Sequence, residues 1–431
     1  MMQFWQESRR STENMKEFRR KLFRRLLPFL IIIGPGIISG SVDNDAGGIA
    51  SYSIAGASFG FSLIWILFLT TFSLAVTQEI GARMGLVTGK GLASLIREKF
   101  GIGWTSFVMV ILFIANIGTL AAEFAGIGAS LEIFNVPRVI SIPIAAVLIY
   151  ILVTRGGFKT LERVFLGLSF FFFAYVFSAI IVHPDWGAAV KSIVVPSFQF
   201  NKLYLLTMIA VIGTTITPWG QFFIQDFVVD KKLAKEDLKI ERGDVFFGSF
   251  LTNFIAFFII VACAATLFTK GIPINGAKDA ALALKPLAGQ FSSILFAFGF
   301  LNASIFGAAL VPFATSYVIT EAFGFESGLN FKFREAPQFY GLFTFSLILG
   351  ALMVILPFVP LISVLFISQA LNAMLLLPIL VFLFILSNDK KILSDYRNSK
   401  IVNVIVVLTF TGIAAATILY FLTLLIPHLF G

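Results

Sequence analysis

The chain has 431 residues, of which 58% are hydrophobic and only 13% charged, with a formal net charge of +9. A water-soluble chain carries roughly twice that share of charge, so hydrocarbon rather than water is the solvent for most of this one. A single cysteine, Cys263, excludes an internal disulfide or a cysteine cluster, and two histidines, His183 and His428, are too few for a zinc site, a haem pair or a histidine proton relay.

Taken in chain order, residues 1–26 are polar and basic, which fits a cytoplasmic tail with no cleavable signal peptide. Apolar runs of about 20 residues then follow one another, each the length that crosses a bilayer as a helix. They fall near 27–57, 61–84, 104–134, 138–154, 161–182, 203–229, 243–269, 287–320, 337–358, 361–387 and 402–427. The first, third, sixth and eighth exceed a simple crossing and are expected to be tilted, broken or extended. Tight turns are expected at Asn135-Val136-Pro137 and at Phe358-Val359-Pro360. No sizeable soluble domain interrupts the series, so residues 27–431 read as one transmembrane domain.

The placement of Lys and Arg tests this count. With eleven spans and a cytoplasmic N-terminus, 26 of the 32 Lys and Arg residues fall on the inside and 6 on the outside. That asymmetry is the positive-inside signature. It reads as the signature of a multi-pass inner-membrane protein with an extracytoplasmic C-terminus. It also accounts for the basic excess without nucleic acid, whose recognition needs a basic folded surface. The lipid bilayer is the partner the basic tail implies.

The first span is not a simple helix. Gly34-Pro35-Gly36 is followed by Ser39-Gly40-Ser41-Val42-Asp43-Asn44-Asp45-Ala46-Gly47-Gly48 where an apolar helix should continue. Glycine costs a helix about 1 kcal/mol relative to Ala, and a charge at membrane depth costs at least about 2.5 kcal/mol. Such a segment persists only where it lines a cavity that uses it. The sixth span carries its own break, Gly213-Thr214-Thr215-Ile216-Thr217-Pro218-Trp219-Gly220. Pro218 has no N–H to return to the carbonyl of Thr214. Five spans separate the two breaks, the spacing of a five-plus-five inverted repeat whose discontinuous helices 1 and 6 form a site at the midplane. Repeat one is then 27–182, repeat two 203–387, and 402–427 is an extra helix. Freed carbonyls and the Asp45 charge favour a cation there.

These residues resemble the NRAMP family of divalent-metal transporters. Gly34-Pro35-Gly36 matches the family's GPG, and Asp45-Ala46-Gly47-Gly48 falls on its DPGN signature. Ala55-Gly56-Ala57-Ser58-Phe59-Gly60 and Gly85-Leu86-Val87-Thr88-Gly89-Lys90 match two of its turns, Thr217-Pro218-Trp219 falls on MPH, and Ser368-Gln369 on the SQ of the tenth helix. The resemblance implies an all-α polytopic membrane protein of about eleven transmembrane helices with the LeuT-type inverted repeat. It also implies a divalent metal ion as substrate, no cofactor and no enzymatic activity. The chain lacks both a GxxxxGK[ST] loop and a nucleophile with its base, which agrees. An amino acid carried with Na⁺ is a further reading of the same architecture; Asp45 speaks against an anionic substrate. The oligomeric state is open, with a monomer as the default.

The resemblance also implies where the ion sits. The family holds it with the Asp and Asn of DPGN, the Met of MPH and a carbonyl three residues before that Met. Here Asp45 keeps the acidic role, Gly48 replaces the Asn, Thr217 replaces the Met, and Thr214 supplies the carbonyl position. Loss of the thioether removes the ligand that favours soft cations. A wider site of oxygen donors suits Mg²⁺, which keeps most of its water. The pattern is most similar to the NRAMP-related magnesium transporters, with Mn²⁺ as a second candidate cargo. The proton relay is altered as well, because Trp219 stands where the family has His and Leu120 where it has Asp, and only Glu123 remains. Weak or absent proton coupling is the expectation; the alternative is the family's ordinary proton-coupled Mn²⁺/Fe²⁺ import.

Other polar residues carry two readings each. Glu123 either faces the hydrated ion or is a protonated, hydrogen-bonded structural group. Asp43 is an outer ligand or a helix cap. Gln369 either contacts the ion as the site closes or joins two helices. Glu79 and Arg83 are expected to pair at a helix end, and Asp226, Asp230 and Glu321 to be solvated.

Overall fold

The computed structural model describes residues 44–156, 173–328, 331 and 333–426. These fold into thirteen principal helices. They are α1 (Ala46–Phe59), α2 (Ile64–Thr88), α3 (Leu92–Glu132), α4 (Arg138–Gly156), α5 (Phe173–Val182), α6 (Trp186–Val194) and α7 (Lys202–Thr215). After these come α8 (Pro218–Asp230), α9 (Leu238–Thr266), α10 (Ser292–Phe323), α11 (Pro337–Val354), α12 (Leu361–Ser387) and α13 (Lys400–Leu425).

Among the described residues nine stretches are long and apolar enough to cross a membrane, and each falls on one of the eleven expected spans. The first and fifth spans enter only as their second halves, α1 and α5. The rest of those two spans, including Gly34-Pro35-Gly36 and Asp43, lies outside the described residues, as does the basic tail.

Of the long spans, the sixth is broken within its expected bounds, and a kink precedes the third. In α3 the backbone leaves the helix at Gly101, at φ 81° and ψ 178°. Only glycine adopts that conformation without strain, and it separates a short first segment from the span proper. The sixth span is two helices, α7 and α8, parted at Ile216-Thr217. At the turn between α3 and α4, Asn135 takes φ 61°, a left-handed conformation asparagine tolerates. There Arg138 donates to Glu132 at 2.6 Å and to the Val359 carbonyl at 2.7 Å.

The polarity of the molecule is that of a protein solvated by lipid. Large apolar side chains such as Val147, Leu148, Leu352, Val404 and Leu408 face outward, while Glu123, Gln369, Asn372 and Thr119 are buried. Helix α3 runs through the middle and packs on α10 and α12; α9 packs on α1 and α2, and α7 on α12. The α7–α12 approach depends on Gly213, where a Cβ would lie 2.7 Å from the Ala373 amide nitrogen.

Glu79 and Arg83 do pair across one turn of α2, at 3.0 Å, but the pair is buried rather than superficial. Arg83 also donates to the Tyr396 carbonyl and to Asn398 Oδ1, tying α2 to the segment between α12 and α13. Arg242 of α9 reaches the same Glu79 carboxylate at 2.7 Å.

Candidate metal centre

Two buried helix starts carry the candidate residues Asp45 and Thr217. Asp45 sits in extended backbone and caps α1; its Oδ1 accepts from the Gly48 N–H at 2.7 Å, and its carbonyl accepts the first helical bond from Ile49 at 2.9 Å. Thr217 does the same for α8, its Oγ1 accepting from the Gly220 N–H at 3.3 Å with Pro218 in the first helical position. Asp and Thr are strong caps, and proline suits the first position because no N–H is needed there. The local sequence therefore starts α1 at Ala46 and restarts the sixth span at Pro218. Each start presents the positive end of its helix; Tyr52 of α1 and Thr215 in the last turn of α7 share a hydrogen bond at 2.9 Å, and no proline N–H occupies the carbonyl of the neighbouring Thr214. Thr214 Oγ1 is buried and without a hydrogen bond.

Gly48 contributes no oxygen from a side chain; its N–H orients the Asp45 carboxylate instead. Asp45 is 2% exposed, and its second oxygen, Oδ2, has no hydrogen-bond partner. Glu123 of α3 fills the opposite wall. It is 0% exposed, its carboxyl faces that of Asp45 and the Ala46 N–H, and neither of its oxygens completes a hydrogen bond. Its place is made by Gly307 of α10, where a Cβ would lie 2.8 Å from Glu123 Cγ and closer still to its carboxyl carbon. Among the described residues no Lys or Arg pairs with either acid.

Gln369 of α12 lies over Gly47, where any Cβ would collide with its amide. Its Oε1 accepts from Asn372 Nδ2 at 3.0 Å, and the same Asn372 amide donates to Thr119 Oγ1 of α3 at 2.9 Å. The NH₂ group is therefore the end turned toward Gly47, and it has no acceptor. In this conformation Gln369 joins α12 to the site as a donor and offers it no oxygen ligand. Trp219 is buried in the first turn of α8, edge-on to Phe223 at 5.5 Å. Leu120 packs against Gly350 of α11, where a Cβ would lie 2.6 Å from Leu120 Cγ. Neither position holds a group that titrates.

All six candidate residues, Asp45, Gly48, Glu123, Thr214, Thr217 and Gln369, are buried. The reading of the sequence missed Asn372, Thr119 and Gly307. A cue existed for two of them: Thr119 stands four residues before Glu123 and Asn372 three after Gln369, spacings that share a helix face. Nothing local marked Gly307. The expectation that Asp226 is solvated is incorrect. It is 6% exposed, with both carboxylate oxygens unpartnered, because the N-terminal turn of α3 and the end of α10 close over it.

The family model described as natural resistance-associated macrophage protein-like (Nramp) matches residues 36–423. The chain belongs to the Nramp family. A divalent metal cation transporter MntH of Caldanaerobacter subterraneus subsp. tengcongensis is 26% identical over 334 residues, covering 74% of this chain and 79% of that one. The MntH of Bacillus subtilis is 28% identical over 300 residues, 66% and 68% of the two chains. Among solved structures, the Eremococcus coleocola manganese transporter superposes with a TM-score of 0.77 at 19% identity, over 92% of this chain and 86% of that one. MhsT in complex with L-phenylalanine gives 0.60 at 15% identity over 90% and 98%. At these identities the structural likeness establishes the fold, which is the LeuT-type arrangement of a multi-pass membrane protein. In this family member, DPGN reads Asp45-Ala46-Gly47-Gly48 and MPH reads Thr217-Pro218-Trp219.

Proposed function

We propose that the chain is a secondary transporter that imports a divalent metal ion by alternating access, with hydrated Mg²⁺ as its main cargo and Mn²⁺ accepted beside it. The observation that carries this is the Asp45–Glu123 pair. Two buried carboxyl groups face each other with three of their four oxygens unpartnered and no basic residue paired with them among the described residues. Carboxylates in a low-dielectric site call for a compensating cation. The surrounding donors, the Thr214 carbonyl and the Thr217 hydroxyl, are hard oxygens without a thioether, which supports a hard ion. Gly48 and Thr217, both small, favour an ion that keeps coordinated water. Asp45, Thr214 and Thr217 are the groups assigned to the ion, Glu123 and Gln369 to its surroundings, and Gly48 to holding Asp45 in place.

Proton coupling is assigned as weak or absent, since Trp219 and Leu120 are apolar and packed. The membrane potential supplies about 2.3 kcal/mol per charge per 100 mV, roughly double that for a divalent ion, which suffices to concentrate Mg²⁺. The reading keeps the N-terminus in the cytoplasm of a prokaryotic cell, which the inside-positive loops support, and takes the repeats as 27–182 and 203–387 with 402–427 outside them. The names of the relatives, a divalent metal cation transporter and a manganese transporter, favour Mn²⁺ as cargo, and its proton-coupled import is the second reading. Proteoliposomes with an internal pH reporter separate the two. Mg²⁺ entry without acidification supports the first; saturable Mn²⁺ entry with acidification, unaffected by millimolar Mg²⁺, overturns it.

A further inference from the structure

A second group of unpaired carboxylates lies at the far end of α8. Asp226 has both oxygens buried and without hydrogen bonds. Glu321, near the end of α10, accepts from Ser94 Oγ of α3 at 2.8 Å through Oε1, while Oε2 has no partner. Asp230 stands beside them and accepts from Tyr317 at 2.7 Å. None of the three forms an ion pair among the described residues.

The carboxylates of Asp226 and Glu321 converge on Gly91. A Cβ there would lie 2.6 Å from Glu321 Oε2, 2.7 Å from Oε1, and nearer still to Asp226 Oδ1. Gly91 has φ −70° and ψ 162°, a backbone any residue adopts. Its lack of a side chain therefore serves to leave space between the two acids. The N-terminus of α3 attracts one anion. The Leu92 N–H faces Asp226 and the Gly91 N–H faces Glu321, but these two dipoles do not balance two buried carboxylates with a third alongside, and neither Asp226 oxygen completes a hydrogen bond.

The position is informative. Asp226 is nine residues past Thr217 on the same helix, about 13 Å along its axis at 1.5 Å per residue. Ser94 lies on α3, the helix that carries Glu123. The helices that build the central site thus build this one as well, toward the end where Lys231 and Lys232 follow α8. We infer that Asp226 and Glu321, with the Ser94 hydroxyl, form a second divalent-cation site, a release station between the Asp45 site and the cytoplasmic face. Two carboxylates, a hydroxyl and retained water are the donor set a hard divalent ion takes. The inference rests on divalent-cation transport and not on the choice of Mg²⁺.

The test uses the full-length protein in detergent with Mn²⁺ alone, read by loss of the free-ion paramagnetic resonance signal. Asp45→Asn is expected to retain residual bound Mn²⁺, and adding Asp226→Asn with Glu321→Gln to lose it. Neutralising unpaired buried acids removes a desolvation cost, so folding survives. Gly91→Ala, which fills the space without changing either acid, is expected to lose the same occupancy. Residual occupancy untouched by these changes, or none in Asp45→Asn while the wild type binds Mn²⁺, overturns the release station alone. A wild type that neither binds nor transports Mn²⁺ or Mg²⁺ overturns the transport reading and the station with it.

Discussion

Asp45 and Thr217 occupy equivalent places in two different helices: each caps its helix by accepting from the N–H three residues on, at 2.7 Å and 3.3 Å. The two residues expected to hold the ion are thus also the two that start the helices following them. Binding and helix capping are carried by the same side chains, which makes their roles separable by choice of substitution.

Asp45→Asn keeps the cap, since Asn caps as well as Asp, and removes the charge. Ion uptake into proteoliposomes is expected to be lost while the melting temperature stays near the wild type. Asp45→Ala is expected to lose uptake and, in addition, about 1 kcal/mol of stability with the cap. If Asp45→Asn transports normally, the carboxylate is not the ion's ligand.

Thr217→Met installs the thioether that the resemblance places in the family site. Calorimetry is expected to show tighter Cd²⁺ binding, with about 1 kcal/mol lost in stability because Met does not cap. Unchanged Cd²⁺ affinity means that residue 217 does not face the ion.

Gly307→Ala separates geometry from helix stability. Alanine favours helix over glycine by about 1 kcal/mol, yet its methyl would press on the Glu123 side chain 2.8 Å from Cγ. Slower uptake is the expected outcome, measured beside thermal unfolding. A variant that is stabilised and transports at the wild-type rate shows that the Asp45–Glu123 approach does not matter to the ion.

Arg83→Ala removes a buried guanidinium from Glu79, from the Tyr396 carbonyl and from Asn398. Arg242 still reaches Glu79, but breaking a buried pair costs about 3–5 kcal/mol. A large drop in melting temperature is expected, with only partial recovery in Arg83→Lys, because an ammonium cannot serve all three acceptors in one plane. A melting temperature within a degree or two of the wild type would show that this contact does not hold α2 to the following segment.

What the sequence by itself determined is what short stretches of chain decide alone. Apolar runs set the spans because a helix in lipid needs about 20 such residues. Glycine, proline and a capping Asp or Thr set the breaks because they act on backbone within one turn. The parting at Ile216-Thr217 therefore fell inside a span already marked as too long, whereas the kink at Gly101 lies just before the third span. The tertiary structure decided which faces meet. Glu123 could be central or merely structural until α3 was seated against α1, with Gly307 leaving room for it. Which end of the Gln369 amide is turned toward Gly47 was set by Asn372, whose amide donates to its oxygen. Asp226, which its place near a helix end suggested was wet, proved buried because α3 and α10 close over it. Burial and orientation depend on residues far apart in the chain, and the spacing of side chains along one helix does not say which neighbour they will touch.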